Sequence, residues 1–335
     1  MTRGDAAAVP ERPLTATDIA AAAQVACLLE VSAPKPGNVS PGRHFADLRY
    51  EDFLVSAVAI GEPLAGAGTR PLGATIRLAI EATARWTRTN TNLGIVLLLA
   101  PLAKAALNGV GGHLMRTPAE DAARVSSLND PRPHFDFRNA VARVLDETDV
   151  QDARDVYAAI RLASPGGLGR VESQDASADP TVSLLDAMRL AAHRDGVARE
   201  YATAFETTFG IGVPVLEQAR RDGLPWDDAV VETFLKLLAH APDTHIARRG
   251  GDAVAKAASD EARRALEAGG VRSAAGRRAI EEMERTIRTA TSESGKPNVS
   301  NPGTSADLTA AAIFVVLLGE RLSGSGFGGG HARSR

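Results

Sequence analysis

Apolar residues recur at three- and four-residue spacing along almost the whole of this 335-residue chain. A side chain returns to one face of an α-helix every 3.6 residues and to one face of a strand every second residue, so runs of this kind build helices. Composition agrees, because 61 alanines suit close-packed helices while aromatic residues, which sheets favour, make up only 4%. The runs predict helices from Thr17 to just before Pro34 and over Tyr50–Ile60, Pro71–Trp86, Leu93–Leu107, Phe137–Leu145 and Asp152–Leu162. They continue over Val182–Arg194, Val197–Arg221, Asp227–Ala241, Asp252–Ala268, Ala274–Thr291 and Ser305–Arg321. Asp195-Gly196 and Asp222-Gly223 fall between helical patterns rather than alternating ones, so no hairpin is expected. The expected architecture is all-α, a single multi-helix domain over residues 13–322 whose long Pro/Gly-patterned loops form one cleft. Residues 1–12 and 323–335 are polar or Gly/Ser-rich and are expected to be tails. The alternative division is two domains parting near Pro131–Phe135.

Several function classes drop out early. A net charge of −3 offers no electrostatic footprint for nucleic acid. The one cysteine, Cys27, excludes an intramolecular disulfide framework and a cysteine-rich zinc site, and its apolar surroundings predict a small core side chain. The apolar stretches Leu93–Leu107 and Leu308–Leu318 are too short to span a bilayer, and no basic segment followed by an apolar core opens the chain. A cytoplasmic protein without a membrane partner is the expectation. No His-Glu-x-x-His spacing and no Ser/His/Asp order stands out, which disfavours zinc and serine hydrolases.

The chemistry-bearing residues lie between helices. Lys35-Pro36-Gly37-Asn38-Val39-Ser40-Pro41-Gly42 nearly repeats as Lys296-Pro297-Asn298-Val299-Ser300-Asn301-Pro302-Gly303, and each copy reaches an Ala-Asp pair, Ala46-Asp47 and Ala306-Asp307. The chain has five lysines against 33 arginines, and two of the five open these copies. Prolines stiffen such loops, glycines let the backbone approach a ligand, and a lysine with Asn and Ser suits phosphate oxygens. An aspartate at the start of the next helix suits Mg²⁺ bridging to those phosphates, or serves only as a cap. If the loops fold against one another, their lysines and aspartates converge on one cleft. Thr89-Asn90-Thr91-Asn92 before an apolar helix can cap that helix, contact a ligand, or both. Ser164–Arg170, followed by Glu172 and Asp175, resembles a glycine-rich phosphate loop only loosely. Asp243-Thr244-His245 with Arg248-Arg249-Gly250-Gly251 can combine an ion ligand, a proton carrier and phosphate clamps.

In this order, Lys-Pro-Gly-x-Val, Thr-Asn-Thr, Asp-Thr with Arg-Gly-Gly, and Asn-x-Ser…Pro-Gly-x-Ser-Ala-Asp-Leu resemble the triphosphoribosyl-dephospho-CoA synthase family. Its members make a prosthetic-group precursor for acyl carrier subunits, and the likeness runs from about residue 20 to 320. This chain departs from the family pattern at Asn92-Leu93, where a His-Lys is usual, and at His245, where an asparagine is usual. It also has Asp47 alone in place of an aspartate-rich stretch, and Glu172…Asp175…Asp179-Pro180-Thr181-Val182 for a Glu-x-Glu-Ser-Gly segment. In these features it resembles a branch found in archaea and in bacteria with methanopterin-linked one-carbon metabolism.

The resemblance implies a reaction in which a ribose hydroxyl of dephospho-CoA attacks the anomeric carbon of ATP's ribose and adenine leaves. It implies ATP as substrate with Mg²⁺, and a nucleotide site drawn from Lys35, Gly37, Asn38, Asn90, Thr91, Arg249, Gly250, Lys296, Asn298, Ser300, Gly303 and Ser305. Glu172, Asp243 and His44 are the acid and base candidates, and Asp47, Asp307 and Asp243 the metal ligands. Three other readings stay open at this level: a nucleotide-dependent transferase with a different coenzyme acceptor, an all-α magnesium hydrolase, and a helical nucleotide-binding protein without turnover.

Overall fold

A computed structural model describes residues 14–108, 135–163, 178–289 and 299–322. The expected tails, the boundary at 131–134, Glu172, Lys296 and Asn298 lie outside the described residues. The first part of the chain forms α1 (Ala16–Ser32), α2 (Tyr50–Ala59), α3 (Gly61–Ala65), α4 (Leu72–Ala84) and α5 (Leu93–Asn108). Then come α6 (Phe135–Asp146), α7 (Val150–Ala163), α8 (Leu184–Ala191), α9 (Gly196–Ala202) and α10 (Val213–Arg221). The last part forms α11 (Trp226–His240), α12 (Thr244–Gly250), α13 (Asp252–Glu267), α14 (Ala274–Thr289) and α15 (Gly303–Leu322). Among the described residues there is no strand, only the isolated bridges Ser40–Arg43 and Phe45–Leu48.

Local sequence explains where several helices begin. The Thr15 hydroxyl accepts from Asp18 N (3.2 Å) while the Asp18 carboxylate accepts from Thr15 N (3.0 Å), a reciprocal cap that starts α1. Ser183 caps α8 and Asp195 caps α9 in the one-sided form. The core is built around α15, which packs against α1, α5 and α11 and is buried continuously from Thr304 to Leu318 except at Asp307. This corrects the expectation from Leu308–Leu318: the helix spanning Gly303–Arg321 is long and apolar enough to cross a membrane, but 78% of that window is buried in protein. It is a core helix.

The proline inside α5 is resolved by a distant side chain. Pro101 has no N–H, so the carbonyl of Leu97 lacks its helical donor. The Tyr201 hydroxyl donates to that carbonyl instead, at 2.7 Å, from a fully buried position. The expected helix Val197–Arg221 is likewise broken. Ala204 and Phe205 take positive φ (49° and 60°), and Thr208–Gly212 form a π-helical turn before α10. No glycine marks the break, because tertiary contacts impose it. The Arg138 guanidinium holds the carbonyls of Thr203 and Ala204, both at 2.8 Å, and buried Glu200 accepts from Thr207 N (3.1 Å) and Thr208 N (2.8 Å).

Candidate active site

The two near-repeated loops meet. The Asn38 side-chain amide donates to the Asn301 side-chain oxygen at 2.8 Å, joining positions 263 residues apart. Gly37 (φ 76°) lies so close to Ile287 and Pro302 that a side chain there has no room. Helix α14 locks the first loop from outside: Gly37 N donates to Glu284 Oε2 (2.5 Å), and Arg288 pairs with Glu284, donates to the Asn38 carbonyl (2.7 Å) and stacks on Phe45. The Gly37 N–H, expected to face a ligand, is therefore already used.

Ser40 and Ser300 occupy matching places in the two copies. Each is buried, at 1% and 3% exposure, and neither hydroxyl has a hydrogen-bond partner among the described residues. Buried hydroxyls are almost always paired, with protein or with water, so both serines have bonding capacity free for a water or a ligand.

Lys35 does something different from what its position in the loop suggests. It is fully buried, 2.9 Å from Glu30 Oε1, and its ammonium donates back to the main-chain carbonyls of Glu30 and Ala33 at the end of α1. A cation there complements the helix dipole and satisfies carbonyls that the helix end leaves open. Burial pushes the Glu30 carboxyl up and the Lys35 amine down, while each charge on the other resists the shift. The phosphate-clamp expectation for Lys35 is corrected by this geometry: its charge is directed inward. The signal available was Glu30 itself, five residues upstream at a helix C-terminus.

Asp243 is also engaged. Its Oδ1 accepts from His245 N (2.9 Å) and Ile246 N (3.1 Å), capping α12, and its Oδ2 accepts from Ser305 N (2.7 Å) and Ser305 Oγ (2.8 Å). One buried carboxylate thus ties the starts of α12 and α15, with no lone pair left for a metal or a proton transfer. The helix α12 itself was not expected. Around it, Thr244 Oγ1 accepts from Gly196 N (2.9 Å) and meets Thr304 Oγ1 at 3.0 Å, so α9 starts at the same junction. His245 Nδ1 faces the Asn301 carbonyl at 2.9 Å and so carries the proton there.

The Thr-Asn-Thr-Asn segment joins from the third side. Asn90 Oδ1 accepts from Leu93 N (3.2 Å), Thr91 Oγ1 meets Ser56 Oγ at 2.5 Å, and Thr89 Oγ1 donates to the Asp47 carbonyl at 3.4 Å. Capping is therefore one of its roles. The segment also borders a cavity of about 220 Å³. Gly94 has a purpose that spacing does not reveal: a Cβ there would overlap the Asp307 carboxylate. Asp307 thus sits against the first turn of α5. Burial, together with Glu30, Asp243 and Asp195 nearby, pushes its carboxyl well above the usual carboxylate range.

The metal expectation changes accordingly. Among the described residues no three acidic, histidine or cysteine side chains come close enough to hold an ion, so Asp47, Asp243 and Asp307 do not form a cage. His44 and Asp47 are both exposed. Arg249 makes no hydrogen bond among the described residues, which leaves its guanidinium available at the junction. Gly250 allows α12 to approach the Val299 carbonyl, where a Cβ would come within 3.0 Å.

A family model for ATP:dephospho-CoA triphosphoribosyl transferase matches residues 16–325. The chain belongs to this family. Among relatives, it is 32% identical over 130 residues to a Pseudomonas paraeruginosa protein described as 2-(5''-triphosphoribosyl)-3'-dephosphocoenzyme-A synthase, covering 38% of this chain and 42% of that one. A Pectobacterium atrosepticum synthase of the same description is 39% identical over 56 residues, 17% of this chain and 19% of that one. The matched segments thus span less than half of either relative. In fold the family member resembles an Archaeoglobus fulgidus protein described as a triphosphoribosyl-dephospho-CoA synthase, with a TM-score of 0.54 at 24% identity over 79% of this chain and 98% of that one.

Proposed function

We propose that this chain transfers the triphosphoribosyl group of ATP to a ribose hydroxyl of dephospho-CoA, releasing adenine. The observation that supports the reading is the junction of the two loops, where two matched, buried serine hydroxyls lack partners among the described residues and Arg249, which acts on His245 there, makes no hydrogen bond among them. Hydroxyl donors and a guanidinium suit the oxygens of a triphosphate. Magnesium accompanying that triphosphate needs few protein ligands, because it keeps water and phosphate oxygens around it. Asp307, with Glu30, Asp243 and Asp195 around it and Arg248 also acting on it, is the carboxyl group proposed to face that cation.

The transition state of such a transfer carries positive charge on the sugar ring, which a fixed carboxylate stabilises, and the attacking hydroxyl must lose a proton. Asp307 is the candidate for the first role. Glu172 and His44 remain the proposed acid and base. The test is direct: the protein, ATP, Mg²⁺ and dephospho-CoA should yield adenine and an acceptor heavier by the triphosphoribosyl group. Adenine formed equally well without acceptor would make the protein a hydrolase, and no adenine in any mixture containing dephospho-CoA would sink the proposal.

A further inference from the structure

A second cavity, of about 410 Å³, is bordered by Asp243, Thr244, Thr304 and Ser305. Its size is in the range that takes a small-molecule ligand. Its remaining walls come from elements that the loop motifs do not include. The strained Thr203–Thr207 segment and the π-helical turn supply Thr203, Thr207, Gly210 and Ile211, and α11 supplies Leu237. π-Helical turns recur at functional sites. Here the turn is held by Glu200 and the preceding residues by Arg138, so the turn is built in rather than incidental.

The lining selects a ligand. Ile211, Leu237 and Leu308 give an apolar wall, threonine and serine hydroxyls line much of the rest, and Glu206, His240 and the already engaged Asp243 complete the border, two carboxyl groups that oppose a highly charged anion. One arginine faces in: Arg199 donates through Nε to the Ala192 carbonyl (3.2 Å), while its terminal amino groups make no hydrogen bond among the described residues. A triphosphate needs more positive charge than this. A long, mostly uncharged chain bearing amides, with phosphate at one end, matches it. Of the two substrates proposed above, only dephospho-CoA has such a part, its pantetheine arm and linking diphosphate.

We infer that this cavity binds the pantetheine arm of the acceptor, with Arg199 at the diphosphate and the ribose reaching the loop junction through Thr304 and Ser305. The inference rests on the function proposed above. It also gives Gly210 a role, since a Cβ there meets nothing within 4 Å and its φ is not in the left-handed region. Gly210 borders the cavity and has room for a side chain, so a larger residue there narrows it without a left-handed backbone to strain.

The experiment measures ATP and dephospho-CoA binding separately by calorimetry, with pantetheine as a third probe, on wild type and on Gly210→Leu and Arg199→Gln. Melting curves establish that the variants fold. The expected result is dephospho-CoA binding weakened tenfold or more in both variants, ATP binding within twofold of wild type, and pantetheine competing with dephospho-CoA but not with ATP. Wild-type binding and transfer with dephospho-CoA affinity unmoved by both variants, or ATP affinity lost in parallel, would overturn the assignment alone. A wild-type protein that binds neither nucleotide, or only ATP, would overturn the proposed function and the assignment with it.

Discussion

Lys35 and Gly94 show how much a single residue's surroundings decide. A lysine at the head of a Pro/Gly loop suggests a phosphate ligand, yet Lys35 is enclosed with Glu30 beneath the loop. Removing one member of a buried ion pair leaves an uncompensated charge, so Lys35→Met should destabilise the protein by about 3–5 kcal/mol. Glu30→Gln combined with Lys35→Met should recover part of that loss, because both charges go together. Urea unfolding of the single and double variants checks this, and a Lys35→Met protein as stable as wild type would show the pair to be inconsequential. Gly94 makes the complementary case. Gly94→Ala should destabilise the protein by pushing the new methyl into the Asp307 carboxylate, and Asp307→Ala in the same chain should remove that clash. The double variant should therefore melt close to Asp307→Ala alone, a non-additivity expected of groups in contact.

At the scale of whole elements, helices are held by partners that their own sequences do not supply. Tyr201→Phe leaves the Leu97 carbonyl buried and unpaired and should cost about 1–3 kcal/mol. Pro101→Ala restores an N–H to α5, so the combined variant should regain much of that stability. Equal melting temperatures for Tyr201→Phe with and without Pro101→Ala would refute the account. The ends of α1 and α15 are tied in a second way. Asp18 is held at about 2: burial works against the charged form, but hydrogen bonds from Thr15 and Arg321 and the Arg321 charge outweigh it. A carboxyl lowered on folding stabilises the protein above its unfolded value and loses that contribution as pH falls toward 2. Thermal melts between pH 5 and pH 2 should thus fall more steeply for wild type than for Asp18→Asn.

Across the molecule, Asn38 and Asn301 connect loops separated by 263 residues. If that contact sets the spacing of the triphosphate site, Asn38→Ala and Asn301→Ala should each raise the KM for ATP, by roughly tenfold for a lost hydrogen bond to an oriented loop. The double variant should be little worse than either single one. Arg249→Gln should raise the same constant without moving the melting temperature, since the guanidinium has no hydrogen bond among the described residues to lose. Additive effects of the two asparagine changes would separate the loops functionally despite their contact.

Helix positions were legible because amphipathic spacing is local; the caps that set their first residues, Thr15 with Asp18, Ser183 and Asp195, came from the structure. The near-repeat around Asn38 and Asn301 was legible too, as was the family, since the loop motifs are short contiguous strings in a fixed order. The role of each loop residue was not. Lys35 points inward because Glu30 and the end of α1 offer it more than solvent does, and Asp243 is occupied because two helices begin within its reach. The break at Ala204–Phe205 carries no glycine and is imposed by Arg138 and Glu200 from outside the segment. Periodicity reports which face of a helix is buried; only the tertiary structure decides which polar groups meet in the space between helices, because those partners lie tens to hundreds of residues apart.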